Sequence, residues 1–424
     1  MAEPSLYGRR RRELVRELFV GPEQYTETLA RLSMQGKVTK FQIPMGLADF
    51  SPSQWKDALE GGVELEIPAE YEQLFSSAGS AGEVFAIQRL LSLARNKTPI
   101  NVLWPSELLA RMPTVASLHP LLAVAASLQG ATHQSLGIGD EDLDDLLARA
   151  RRQIFTYRLR GDFFTDSQIL LCVDARGHGR PLDLYDRSSS GLRNREDIET
   201  TVLGVLSPQL NSAEAASQKF ALASALAVIV AELFENTHLH GRLDLAQTPV
   251  GPDAMRGLMF KRISVTLPAH QKSRRLVAAR EVPGLEVSIF DSGLGYFASY
   301  TRRALDSSTD LDEEWKIMHK CFARHFDPEQ VDHRQRQRGM GLYEVLRALQ
   351  ELKGSIEVKT GRLFAYRSFF EGELLPQMRP PSGPWARISL PKPVLLDVQN
   401  RLMPRPTVND TVVGAAVRIV VPLA

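Results

Sequence analysis

Two hydrophobic periods run along this chain. Between Ser80 and Arg95, Val84, Ile87, Leu90, Leu91 and Ala94 recur at helical spacing. Pro99 follows, and Ile100–Trp104 is then a short apolar run of the kind that forms a buried strand. Val38–Ile43 and Val63–Ile67 read as further short strands, and residues 1–36 as helices. Helix followed by strand predicts an α/β layer. Pro120–Leu128 reads as a helix with the proline in its first turn, and Gly139–Leu147 as an acidic helix start suited to the helix dipole. From Gln153 the period changes. Ile154–Arg158 and Ser167–Asp174 read as strands of a hairpin or meander, with turn residues at Gly177–Pro181. The small, polar run Ser188–Asn194 reads as a linker or an exposed loop. The expected division is a helical segment 1–36, an α/β regulatory or recognition region 37–206 and a carboxyl-terminal domain 207–424.

In the second half the helical period returns over Ala221–His240, where Leu222, Leu226, Ile229, Val230 and Leu233 form an apolar face. Glu232, Asn236 and His240 fall at i, i+4 and i+8, a separate polar stripe. That stripe aims a carboxylate and a carboxamide into one cavity. A carboxamide oxygen is a hard, neutral ligand for magnesium, and a carboxylate one turn earlier is placed to polarise a water or hydroxyl. The competing reading is two surface residues on an amphipathic helix. Zinc at His238 and His240 is excluded by geometry, because residues i and i+2 of a helix point about 200° apart.

Leu285–Phe290 alternates like a half-buried strand and ends in Asp291-Ser-Gly-Leu-Gly295. A strand-terminal Asp291 is suited to accept a hydrogen bond from an amine such as adenine N6, and Gly293 and Gly295 let backbone approach a ligand closely. Taken alone, the same pattern is a common turn. Gly339-Met-Gly341 then opens a helix over Leu342–Leu352, with Gly354 as the expected C-cap. Backbone N–H groups at such a start suit phosphate. Arg338 precedes it as a further phosphate contact; Arg334 and Arg336 read equally well as a solvated charge run.

Composition narrows the classes without choosing among them. With 424 residues, 43% hydrophobic and 24% charged, the chain suits two or three soluble domains. A net charge of +1 gives no global attraction for nucleic acid or membrane. The run Arg9–Arg12 reads as a solvated helix end or as a nucleic-acid or acidic-lipid contact, and nothing else in the sequence supports the second. Two cysteines, Cys172 and Cys321, exclude a disulfide framework and a cysteine-based zinc site. The longest apolar run, Ala221–Ala231, reads as too short to span a bilayer, and no signal peptide is evident. The expected location is the cytoplasm.

The three pieces in this order resemble the GHKL superfamily of gyrase B, Hsp90, histidine kinases and MutL, with the anti-sigma serine kinases. Glu232 and Asn236 match its N-box, Asp291, Gly293 and Gly295 its first glycine box, and Gly339 and Gly341 its second. Gly414–Pro422 looks like its closing strand. The resemblance implies a Bergerat-type two-layer α/β sandwich with a mixed sheet, and ATP and Mg²⁺ as ligands. It implies Asn236 on the metal, Asp291 on adenine, Glu232 as catalytic base and Tyr296–Arg338 as a lid. It further implies slow ATP hydrolysis as a switch acting on a protein partner or a second copy. The alternatives are a protein kinase of the anti-sigma or two-component type and a non-catalytic nucleotide-responsive module. One departure is Ala415, where the family often has Thr. Another is that no second domain follows the closing strand, which brings the layout closest to the kinase and anti-sigma types.

Overall fold

The structure, a computed structural model, describes residues 39–42, 52–69, 83–111, 119–128, 130–136, 143–156, 167–173, 181–186, 191–206, 215–248, 250, 254–272, 275–323, 341–370, 395–400 and 405–423. The expected amino-terminal helices lie outside them. Strands β1 (Thr39–Gln42), β2 (Val63–Glu66), β3 (Ile100–Pro105) and β4 (Thr132–Leu136) form a parallel sheet in that order. Parallel neighbours need long crossovers. These run through helices α1 (Pro52–Gly61), α2 (Glu83–Arg95), the short α3 (Ser106–Leu109) and α4 (Pro120–Ser127). The expected helix–strand alternation is therefore present. Helix α5 (Leu143–Thr156) corrects one reading: Ile154 is helical. Leu147, Ala150 and Ile154 make one buried helical stripe, which overrides the local strand character of residues 154–156; the rest of the expected strand, 157–158, lies outside the described residues.

The second sheet has seven strands. Its order is β12 (Leu396–Asp397), β11 (Leu363–Ser368), β10 (Ser355–Gly361), β13 (Val412–Pro422), β9 (Arg280–Asp291), β6 (Met255–Leu267), β5 (Ser167–Val173). The α/β class holds, but parallel and antiparallel pairing are segregated. Among the described residues every pairing in this sheet is antiparallel, which corrects the mixed sheet expected of the carboxyl-terminal half. Strand β5 does not close a local hairpin. It pairs with β6, more than 80 residues later, in the register Ser167↔Lys261. Helix α6 (Arg195–Leu206) packs on the long helix α7 (Ala215–His240). The carboxyl-terminal unit thus begins near Ser167, not at residue 207. A two-stranded ribbon of β7 (His270–Lys272) and β8 (Arg275–Val277) extends from the turn between β6 and β9.

Both faces of the large sheet are covered. On one, Leu258, Leu285, Val287, Ile289, Val417 and Ile419 meet α6, α7, α9 (Leu311–Phe322) and α10 (Gly341–Glu351). On the other, Ile169, Leu171, Met255, Met259, Phe290 and Ala416 join the core of the parallel-sheet unit. Strand β9 is consequently buried on both sides from Gly284 to Asp291, not half-buried as its alternation predicts. Its polar members are paired: Glu286 accepts from Arg418 at 2.8 Å and from Ser288 at 3.1 Å. By length and composition Phe220–His240 is long and apolar enough to cross a membrane, which corrects the expectation that the longest apolar run is too short. In the fold it is α7, packed between α6, α10 and β9.

Candidate functional site

Helix α7 presents its polar stripe as the spacing predicts. Leu226, Ile229, Val230 and Leu233 are buried, while Glu232, Asn236 and His240 are partly exposed. Burial pushes the Glu232 carboxyl above its ordinary range, reinforced by like charge on Glu235 and Glu344 and opposed by Arg195. Burial and the nearby Arg302 hold His240 below the usual histidine range. His238 is turned elsewhere, hydrogen-bonded through Nδ1 to the Tyr185 hydroxyl at 3.0 Å.

Close backbone approaches bring the other pieces to this helix. Gly341, the first residue of α10, lies against the Glu232 carboxylate, with no room for a Cβ. At the carboxyl end of α7, Gly241 lies on Asp291: a Cβ there would fall 2.7 Å from the Asp291 Cγ. Gly293 is packed on the Gly241 backbone in turn. One helix therefore meets the α10 start at Glu232 and the Asp291 turn at Gly241. The 1.5 Å rise per residue separates these points by about 13 Å, and Asn236 stands between them.

The Asp291 turn is tightly fixed. Asp291 Oδ1 accepts the Gly293 N–H at 2.9 Å. Ser292 locks onto β6, its N–H donating to the Met255 carbonyl and its Oγ accepting the Met255 N–H at 2.9 Å. Arg256, fully buried, stands directly across the β6–β9 ladder from Asp291. Directly opposed side chains share a face, so a cation sits under the carboxylate's side of the sheet. The guanidinium carbon lies 5.5 Å from the Phe234 ring centre and 5.9 Å from that of Tyr185.

A residue the sequence reading passed over is Thr360. It faces Ala415 across the β10–β13 ladder. Its hydroxyl donates to the Gly414 carbonyl at 3.1 Å and accepts the Tyr296 N–H at 3.2 Å. Gly295 adopts φ +70° against that hydroxyl. Strand β13 carries Ala415 here, and the neighbouring strand β10 supplies a hydroxyl at the same level. No signal in the local sequence marks this, since only the strand register creates it.

Arg338 and Gly339 lie outside the described residues, as does the expected lid from 324 to 338. The first part of that span is packed. Helices α8 (Gly295–Thr301) and α9 join the helical layer through buried Trp315, Met318 and Phe322, and Tyr296 meets Phe322 edge-on. Arg362 clamps Glu314 at 2.9 Å. Gly354 also differs from expectation. The left-handed residue ending α10 is Lys353, at φ +51°. Gly354 is glycine because a Cβ would approach the Val420 carbonyl at 2.8 Å. A cleft of about 350 Å³ between α7 and α10, bordered by Arg195, Val228, Glu344 and Arg347, includes none of Glu232, Asn236 and Asp291 in its walls. No protein-family model matches the chain, and comparison with curated proteins and with solved structures yields no match, so the reading of this site rests on its residues.

Proposed function

We propose that this protein binds ATP with Mg²⁺ and hydrolyses it slowly, as a conformational switch acting on a protein partner, in a pocket of the GHKL type. The observation that carries the reading is the double contact of α7: Gly341 on Glu232 and Gly241 on Asp291. Adenine recognition at one end and phosphate chemistry at the other, about 13 Å apart, suit an extended nucleoside triphosphate. Glycines at 241, 293, 341 and 414 let these pieces approach one another more closely than a side chain would allow. Asp291 reads the adenine amine as a hydrogen-bond acceptor. The first N–H groups of α10 face the phosphates at the positive end of the helix dipole. Asn236 offers magnesium one hard oxygen, which fits an ion that keeps several waters and phosphate oxygens. When bound, the ion supplies charge neutralisation to the phosphates. Glu232 takes the proton of the attacking water.

A second reading, protein phosphorylation, is favoured by the partial exposure of Glu232, because a partner's hydroxyl reaches the same carboxylate that a water does. We place either activity in the cytoplasm, where ATP coincides with conditions that keep Cys172 and Cys321 as free thiols. Calorimetry with ATP, with and without Mg²⁺, tests the pocket: Asn236→Ala is expected to remove the Mg²⁺-dependent part of the affinity with the circular dichroism spectrum unchanged. γ-Labelled ATP then separates the chemistries. Label in inorganic phosphate supports hydrolysis, label on protein supports the kinase, and label remaining in ATP supports a non-catalytic switch.

A further inference from the structure

Helix α2 of the amino-terminal unit is buried from Glu83 to Leu93. It nevertheless carries Gln88, Arg89 and Ser92, and all three are directed at one short stretch of the other unit, Asp410–Val413. Arg89 donates twice to Asp410, at 2.9 and 3.1 Å, and Lys359 donates to the same carboxylate at 2.9 Å. Against the cost of burial, these two cations hold the Asp410 carboxyl down at about 2. Ser92 Oγ accepts the Val413 N–H at 2.9 Å. Gln88 Nε2 donates to the Val413 carbonyl at 3.2 Å and to the Lys359 carbonyl at 3.0 Å.

The β10–β13 ladder breaks at this point. Thr360 faces Ala415, but Gly361 faces Val412, so Val413 and Gly414 bulge out of the pairing. Both backbone groups of Val413 go to α2. Both backbone groups of Gly414 go to the candidate site, the N–H to the Gly293 carbonyl at 3.0 Å and the carbonyl to Thr360 Oγ1. Gly414 holds φ +64° and has no space for a Cβ beside Asp291. The Val413 carbonyl and the Gly414 N–H belong to one peptide group, which is planar and rigid. Turning that plane moves the Gln88 contact and the Gly293 contact together.

We infer that Gln88 and Ser92 are positioning residues for the Asp291 turn, through which the amino-terminal α/β unit sets the nucleotide affinity of the carboxyl-terminal one. The inference rests on the ATP reading above. Coupling of this kind is reciprocal, so nucleotide is also felt at α2.

Gln88→Met, which keeps volume, and Ser92→Ala in the full chain test it by calorimetry with Mg·ATP beside circular dichroism. Each variant is expected to fold and to bind ATP more weakly, on the order of tenfold. A merely structural role for these side chains would lower the melting midpoint and leave the affinity of the folded protein unchanged. Folded variants with native affinity, beside a wild type that binds ATP, overturn this inference alone. A wild type that binds no ATP overturns the underlying reading first and this inference with it. If either variant does not fold, amide exchange on the wild type decides: slower exchange at Val413 and along α2 with ATP is expected, and unchanged exchange there overturns the coupling.

Discussion

Gly341 lies so close to Glu232 that a Cβ on the glycine would strike carboxylate oxygen Oε2. The obstacle is the far end of a flexible side chain, not backbone, so Gly341→Ala moves the carboxylate more readily than it disturbs the fold. Alanine is also the better helix residue, by up to about 1 kcal/mol in a helix interior. The variant is therefore expected to keep its stability and its ATP affinity while losing turnover. Thermal melts and phosphate release measured together check this. Native turnover in a folded Gly341→Ala protein would separate Glu232 from the chemistry.

Asp291 has two tasks that one substitution separates. Its Oδ1 holds the Gly293 N–H, and Asn retains an oxygen for that bond, so Asp291→Asn keeps the turn. The second oxygen becomes an N–H₂ donor, which repels an adenine amine. ATP binding is expected to weaken by about 1–3 kcal/mol, the scale of a charge-assisted hydrogen bond lost. Discrimination against GTP should narrow at the same time. Calorimetry with both nucleotides measures it, and equal ATP affinity in the two proteins would take Asp291 out of the pocket.

The local parts of this arrangement were legible in sequence and the long-range parts were not. The α7 stripe depends only on helical period, and the strand ending at Asp291 only on a run of apolar residues closed by a turn. Strand β4, Thr132–Leu136, has one β-branched residue, Thr132, and no apolar alternation, and it exists because β3 offers it an edge. Ile154 has strand character in isolation, but its partners on the helical face are Leu147 and Ala150. The burial of β9 on its second face could not be read locally either, because that face is covered by a helix some 200 residues earlier in the chain. Thr360 belongs to the same class: its place beside Gly414 is set by register alone.

Glu232 should impose its own pH profile on turnover. Burial is the main cause of its raised carboxyl pKa, and Glu235 and Glu344 add like charge. A base must be deprotonated to act, so turnover is expected to rise with pH along a limb displaced above the ordinary carboxylate range. Glu344→Gln removes one of the like charges without touching the base, and should move that limb down in pH while leaving the plateau rate intact. Glu232→Ala should abolish the limb and lower the plateau by roughly 10²–10⁴-fold. A limb that stays in place in Glu344→Gln would assign the titration to another group.

Glu83 gives the interface between the two units a pH dependence of opposite sense. Its Oε1 accepts the Leu121 N–H in the first turn of α4, and its Oε2 stands 3.9 Å from Lys261 of β6. Burial raises its carboxyl to about 7; Lys261 pulls it back, but at that distance does not win. A carboxyl whose pKa is higher folded than unfolded binds its proton more tightly in the folded state. Its contribution to stability is then complete below the ordinary value of 4.5 and falls as pH rises toward about 7, beyond which it is flat. The total is on the order of 3 kcal/mol at about 1.36 kcal/mol per unit. A carboxamide in its place would be neutral at every pH and would still offer an oxygen to the Leu121 N–H, so Glu83→Gln is expected to flatten this slope. Denaturant unfolding of both proteins at pH 5 and pH 8 measures it. The variant should gain on the wild type at pH 8 and match it more closely at pH 5. A constant difference between them across that range would mean that Glu83 stays ionised and pairs with Lys261 throughout.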